Sequence, residues 1–253
     1  MSMQFLSTST KDGMINLCED YCGFNDGDIS GYPTQLSKFT GYINRALDDA
    51  WSVILQATGK WHMDDSNFTD YPIIQTSLAS GQRDYPFVAD GSGNIILEVY
   101  RVMVADPSGT FHEIYPVDQF QTTAKTGNLE NTDAMINGLN ASGTPTRYSK
   151  TGNGIFLDVI PNYSLSGGLK VFIDREASYF ASSDTTKKPG FAGIYHQYLP
   201  LWASEFYAGI KSLANLKKLN ADKAQMRRDI ENYYAKRDKD TPKRLVPNTE
   251  NNK

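Results

Sequence analysis

"GIYHQYLPLWASEFYAG", residues 193–209, gathers aromatic, apolar and titratable side chains into one short stretch. It holds a histidine, a tryptophan, three tyrosines, a glutamate and a proline. A His and a Glu among aromatics form either a reactive site or the wall of a helical core, and the spacing separates the two. Tyr198, Trp202, Phe206 and Ile210 recur every four residues, which puts them on one face of an α-helix. His196 and Glu205 are nine apart, about two and a half turns, and so point in roughly opposite directions. They make a poor catalytic pair. The stripe is expected to pack on another helix, with Trp202 in the core. Pro200 has no N–H for the carbonyl of His196 and so marks a helix start or a kink. The stretch reads as the hinge where a β module returns to a helical body.

Downstream the apolar positions continue through Leu213, Leu216 and Leu219, then Met226, Ile230 and Tyr233. One long helix is predicted from Ile194 to Lys236. "NTENNK" closes the sequence as a polar tail, expected to be disordered when free.

Two helices are predicted near the start. The first runs from Lys11 to Tyr21, capped by Thr10, with Met14, Ile15, Leu17, Cys18 and Tyr21 on its apolar side. The second runs from Thr34 to Thr58. Its stripe is Leu36, Phe39, Ile43, Leu47, Trp51, Ile54 and Thr58, and Gly59 is its stop. "GFNDGDISGYP" between them is a loop.

From Tyr71 the composition shifts to short runs split by turn residues. The predicted strands are Ile73–Leu78, Asp84–Val88, Ile95–Ala105, Phe111–Tyr115, Thr146–Lys150, Ile155–Ile160 and Leu169–Arg175. Gln119–Pro145 reads as a long polar loop, with a small helix at Asn131–Leu139. "SSDTTKKPG", residues 182–190, closes the β region. The expected class is α+β: a helical bundle of N- and C-terminal helices with an inserted antiparallel β-sandwich or barrel. Residues 1–70 and 190–236 form the discontinuous helical domain, 71–189 the β domain, and 237–253 a C-terminal docking tail.

The totals narrow the function. No apolar run approaches the roughly 20 residues of a bilayer span, and "MSMQFLSTSTKDG" has no signal-peptide pattern. A cytoplasmic site of synthesis is expected. Cys18 and Cys22 read as two buried thiols. The net charge of −4 is uneven. Residues 1–210 carry 13 Lys and Arg against 23 Asp and Glu, whereas residues 211–244 carry 11 against 5. The protein is an acidic body with a basic arm.

No phosphate-binding loop, nucleophile elbow or HExxH helix is present. His62, His112 and His196 fall in three separate contexts. "DDSNFTD", residues 64–70, lacks the central Gly and closing Glu of a calcium loop and reads as a capped turn. No catalytic residue, cofactor site or metal site is expected. The basic arm could meet DNA phosphates, but Asp222, Asp229, Glu231, Asp238 and Asp240 are interleaved with its bases. It also suits docking to an acidic protein.

The order of elements carries a resemblance. "MINLCEDYCGF" and "FTGYINRALDDAWSVIL" form a leading helix pair. "GQRDYPFVADGSGNIILEVYRVMVADPSGTFHEIYPVD" follows, then "GIFLDVIPNYSLSGGLKVFIDREASYF" and "PGFAGIYHQYLPLWASEFYAG". Over residues 10–210 this resembles the head-to-tail adaptor, or connector, proteins of tailed bacteriophages. The resemblance implies a structural virion protein and not an enzyme. It would form a ring, twelve-fold in most of the family, beneath the portal protein. The ring would extend the DNA channel without sequence-specific binding and offer a surface to the next neck or tail component. Its location would be the virion neck, and the host cytoplasm during assembly, with no membrane partner. The family's C-terminal segment reaches toward the portal, which points to Arg227, Arg228, Lys236, Arg237, Lys239, Lys243 and Arg244. The loop 119–145 and the strongly basic arm depart from the pattern. Two other functions stand beside it: a tail-associated carbohydrate-binding or glycan-degrading protein using the β module, marked by a two-carboxylate cleft or an exposed aromatic platform, and a DNA-binding protein using the arm.

Overall fold

The computed structural model describes residues 3–7, 9–58, 73–89, 93, 95–116, 141–151 and 154–237. The fold is α+β: N- and C-terminal helices pack together, and a curled seven-stranded sheet, a half-barrel, is inserted between them in the sequence. Contacts divide the chain into two compact units, residues 1–62 with 179–253 and residues 63–178.

In the helical unit, α1 spans Met14–Cys22. It starts at Gly13 with no side-chain cap, so Thr10 does not play the expected role. The amides of Met14 and Ile15 instead donate to the carbonyls of Gln4 and Phe5, at 3.0 and 3.1 Å. That strand-like cover passes so close that a Cβ on Gly13 would lie 2.4 Å from the Ser7 nitrogen. Gly23, at φ 73°, ends the helix in the left-handed conformation.

Helix α2 spans Pro33–Thr58. It buries Phe39, Ile43, Leu47, Trp51 and Ile54, as their spacing predicts, and Tyr42, Ala46, Ala50 and Val53 widen the face. Gly59, its predicted stop, lies outside the described residues.

The long helix expected over 194–236 is three pieces. A 3-10 turn covers Gly193–Tyr195, α3 covers Tyr198–Lys211, and α4 covers Leu216–Arg237. Pro200 sits in the first turn of α3, where its missing N–H costs nothing. The break lies at Ser212, which takes a left-handed φ of 54°. The Leu213 amide closes back on the Ala208 carbonyl at 2.9 Å, and the Asn215 side chain bonds the Tyr21 carbonyl. Leu213 then packs with Leu201, Ala208 and Leu219. No Gly or Pro lies between Ile210 and Leu216, so periodicity ran through the break.

Helix α3 runs antiparallel to α2: Tyr198 meets Asp49, Phe206 stacks edge-on to Tyr42, and Tyr207 leans on Phe39. Helix α4 folds back along α3, with Lys223 at Glu205 and Arg227 at Asp49. It therefore runs parallel to α2. The expected stripe on α3 holds only in part. Tyr198 is fully buried, Trp202 and Phe206 are half-buried against each other, and Ile210 is 55% exposed. Contacts with α1, α2 and α4 spread the burial over Leu199, Leu201, Ala203, Ser204 and Ala208 instead.

The other unit holds β1 Ile73–Leu78, β2 Asp84–Pro86, β3 Ile96–Ala105, β4 Phe111–Pro116, β5 Arg147–Thr151, β6 Gly154–Leu157 and β7 Leu165–Arg175. Their order is β1-β7-β3-β4-β5-β6-β2. This is one curled sheet, not two stacked sheets, and it is not wholly antiparallel. Strands β4 and β5 pair in parallel, with Tyr115 opposite Arg147. A parallel pair needs a long crossover, and residues 117–146 separate these strands. The inner face buries Val102, Val104, Ile114, Ile155, Leu169, Val171 and Ile173. The loop and small helix read at 119–145 lie largely outside the described residues.

Residues 179–189 make their contacts in the helical unit, although the sequence placed them with the strands. Phe180 stacks on Phe5 at 5.1 Å, and the Asn44 side chain bonds both the amide and the carbonyl of Phe180. The chain thus rejoins the helices at Tyr179, and residues 193–209 lie inside the helical unit, not at its junction.

Candidate partner-binding surface

Helix α4 begins the basic arm. It is anchored by Leu219, Ile230 and Tyr234, all buried, and the Tyr234 hydroxyl accepts the Ala192 amide at 3.0 Å. The anchoring assigns the basic residues unequally. Arg227, although exposed, turns toward α2: its Nη1 donates to both carboxylate oxygens of Asp49, at 2.7 and 3.0 Å. The Tyr198 hydroxyl donates to Asp49 Oδ2 from the other side. Burial, followed by that hydrogen bond, raises the Tyr198 phenol well above its usual pKa. Arg227, expected to meet a partner, therefore ties α4 to α2 and α3. Arg228 lies on the exposed side and donates to the Gln225 side chain at 2.7 Å. Lys236 is exposed. The side chains of Arg237, Lys239, Lys243 and Arg244 lie outside the described residues.

The outer side of α4 is mixed in sign. Asp222, Asp229 and Glu231 share it with Lys217, Lys218, Arg228 and Lys236. Such alternation suits a protein partner better than a phosphate backbone.

The histidines are dispersed. His196 is buried, accepts the Met3 amide at Nδ1 and donates Nε2–H to the Phe191 carbonyl at 2.8 Å. Burial holds its pKa below the ordinary value. His112 is exposed and pairs with Asp106 at 3.0 Å in the β3–β4 turn. A hydrogen bond from Ser108, then one from His112, holds the Asp106 carboxyl well below the usual range. His62 and the 64–70 cluster lie outside the described residues. Among the described residues no three His, Cys, Asp or Glu side chains could together hold a metal ion, and no helix is long and apolar enough to cross a membrane. Cys18 and Cys22 are free thiols, and burial pushes Cys22 up to about 11.

Two concavities stand out. A small cavity of about 50 Å³ lies between Phe87, Ile96–Val99 and Ile155, with Glu98 as its carboxylate. An open groove of about 480 Å³ lies at the start of α2, lined by Phe24, Asp28, Tyr32, Pro33, Thr34 and Gln35. Neither is lined by the carboxylate pair that glycoside hydrolysis uses. The outer sheet face does carry exposed rings. Tyr100, 52% exposed, lies 6.2 Å from Phe172, whose ring sits 5.3 Å below the Arg101 guanidinium.

Sequence reasoning missed the groove, although an acidic loop ending in Tyr32-Pro33 was visible. It also missed the Tyr100–Phe172 pair, because alternation along β3 is interrupted by register shifts against β7. No protein-family model matches the chain, and no curated protein matches it either.

Proposed function

We propose that the protein is a head-to-tail adaptor of a tailed bacteriophage, a structural virion component and not an enzyme. Copies assemble into a ring, twelve in number, beneath the portal. The ring lines the DNA channel and receives the next neck or tail component. The observation that carries this reading is the discontinuous helical unit, built from both ends of the sequence around an inserted β unit. The same order of elements carries the resemblance. The charge distribution supports it. An acidic body repels phosphate, so DNA slides through a lumen without sticking. The basic arm is left for protein contacts, with Arg228 and Lys236 on its exposed side. Electron microscopy of the purified protein, alone and mixed with a portal ring, tests the proposal. Rings, or adaptor density under the portal, are expected; a monomer in both samples would overturn it.

A second reading rests on Tyr100, Phe172 and Arg101. Exposed rings on a sheet face can stack on sugar rings, so the outer face could bind glycan. Its test is retention on host-envelope polysaccharide, lost in Tyr100→Ala.

A further inference from the structure

The groove at the start of α2 is lined by the apolar side chains of Phe24, Tyr32 and Pro33 together with Asp28, Thr34 and Gln35. Tyr32 is 61% exposed, a large ring for a surface position. Asp28 is the carboxylate of the lining, and the Gln35 side-chain oxygen is buried without a hydrogen-bond partner. From Glu19 to Ser37 the sequence has four carboxylates and no Lys or Arg. Lys38 is the next base along α2, and Lys211, Lys217 and Lys218 do not line the groove. The fitting ligand is an extended segment with a cationic donor beside apolar side chains.

The chain contains such a segment just past α4. Residues 236–247 hold five bases against two acids, and Lys243-Arg244 is followed at once by Leu245-Val246-Pro247. Arg244 would meet Asp28, and Leu245 to Pro247 would lie along Phe24 and Tyr32.

Distance decides which copy supplies it. Helices α2 and α4 run parallel, in register at Asp49 and Arg227. The groove lies fifteen residues before Asp49, and α4 ends ten residues after Arg227, so about 37 Å of helix axis separates them. Eight residues, Asp238 to Leu245, span at most about 29 Å when fully extended. The segment falls short of its own groove. We propose that residues 243–247 of one copy occupy the groove of the next copy. Complementary surfaces at opposite ends of one unit make a head-to-tail contact, the kind that closes into a ring. This rests on the ring reading above and names the arm's first partner as the neighbouring adaptor.

The test is cross-linking in the full chain. Tyr32→Cys and Leu245→Cys are introduced together and treated with a short bismaleimide, with each single variant and the unmodified protein as controls for Cys18 and Cys22. The expected result is a ladder of dimers and larger species in the double variant, absent from the controls. Asp28→Lys should abolish the ladder, and Arg244→Asp added to it should restore it. A cross-link confined to single chains would overturn the assignment to a neighbour. No cross-link, while rings still form, would overturn the groove contact and leave the adaptor reading standing. No ring for the unmodified protein, with or without a portal, would remove the adaptor reading, and a ladder there would still mark pairwise docking.

Discussion

Asp49 of α2 is held from two sides, by Arg227 of α4 at 2.7 and 3.0 Å and by the buried hydroxyl of Tyr198 of α3. One carboxylate thus joins three helices. The Asp49 side chain is 25% exposed and that of Arg227 44%, so water reaches the ion pair but not the phenol ring. Asp49→Ala strands a buried hydroxyl and leaves an exposed guanidinium without its carboxylate, and should cost about 2 kcal/mol. Arg227→Ala leaves the Tyr198 bond intact and should cost about 1 kcal/mol or less, as a screened pair does. Urea unfolding followed by circular dichroism measures both. Equal losses would show that Tyr198 contributes nothing.

The bases of α4 should separate by role. Arg228→Glu and Lys236→Glu change exposed positions and should leave stability within about 0.5 kcal/mol. They should nevertheless weaken attachment to a portal ring, and more so at low salt. Arg227→Glu faces Asp49 and should lower the melting temperature. Thermal melts and portal co-sedimentation, run together, read the two roles. Loss of attachment without loss of stability in the Arg227 variant alone would reverse the assignment.

His196 makes stability depend on pH. Its folded pKa lies below the unfolded value of about 6.5, because burial disfavours the charged ring. Above about pH 7 the ring is neutral in both states, and this contribution is fully present. Below about 6.5 the unfolded chain takes up a proton that the folded ring refuses, so stability falls until the folded ring protonates too. Denaturation midpoints between pH 7.5 and 5.5 should show the fall, reduced in His196→Gln. An unchanged slope in that variant would place the effect elsewhere.

The face of α3 gives a graded series. Tyr198→Ala should cost on the order of 3–5 kcal/mol as a fully buried aromatic. The sequence alone put Trp202 in that class. Its half-buried position against Phe206 lowers the expected cost of Trp202→Ala to about 2 kcal/mol. Ile210→Ala should change stability by less than about 0.5 kcal/mol. A larger loss at Ile210 than at Trp202 would mean that α3 is rotated.

What the sequence showed depended on how local the cause was. Helix α2 was legible because its stripe buries one face over many turns. Strand β1 was legible from the apolar run that follows Tyr71. The break at Ser212 was hidden, because a backbone turn and the Asn215 bond to Tyr21 created it, not a breaker residue. The cap of α1 was misplaced for a similar reason: carbonyls of Gln4 and Phe5 do the work of Thr10. Among the candidate residues, Arg227 and Arg228 are adjacent and alike in sequence. Only the fold shows that one faces Asp49 and the other faces water.

Native mass spectrometry of the full chain, alone and with purified portal ring, reads ring assembly directly. A closed oligomer is expected, alone or on the portal, with twelve copies as the dominant mass. A single-copy mass under both conditions would contradict it.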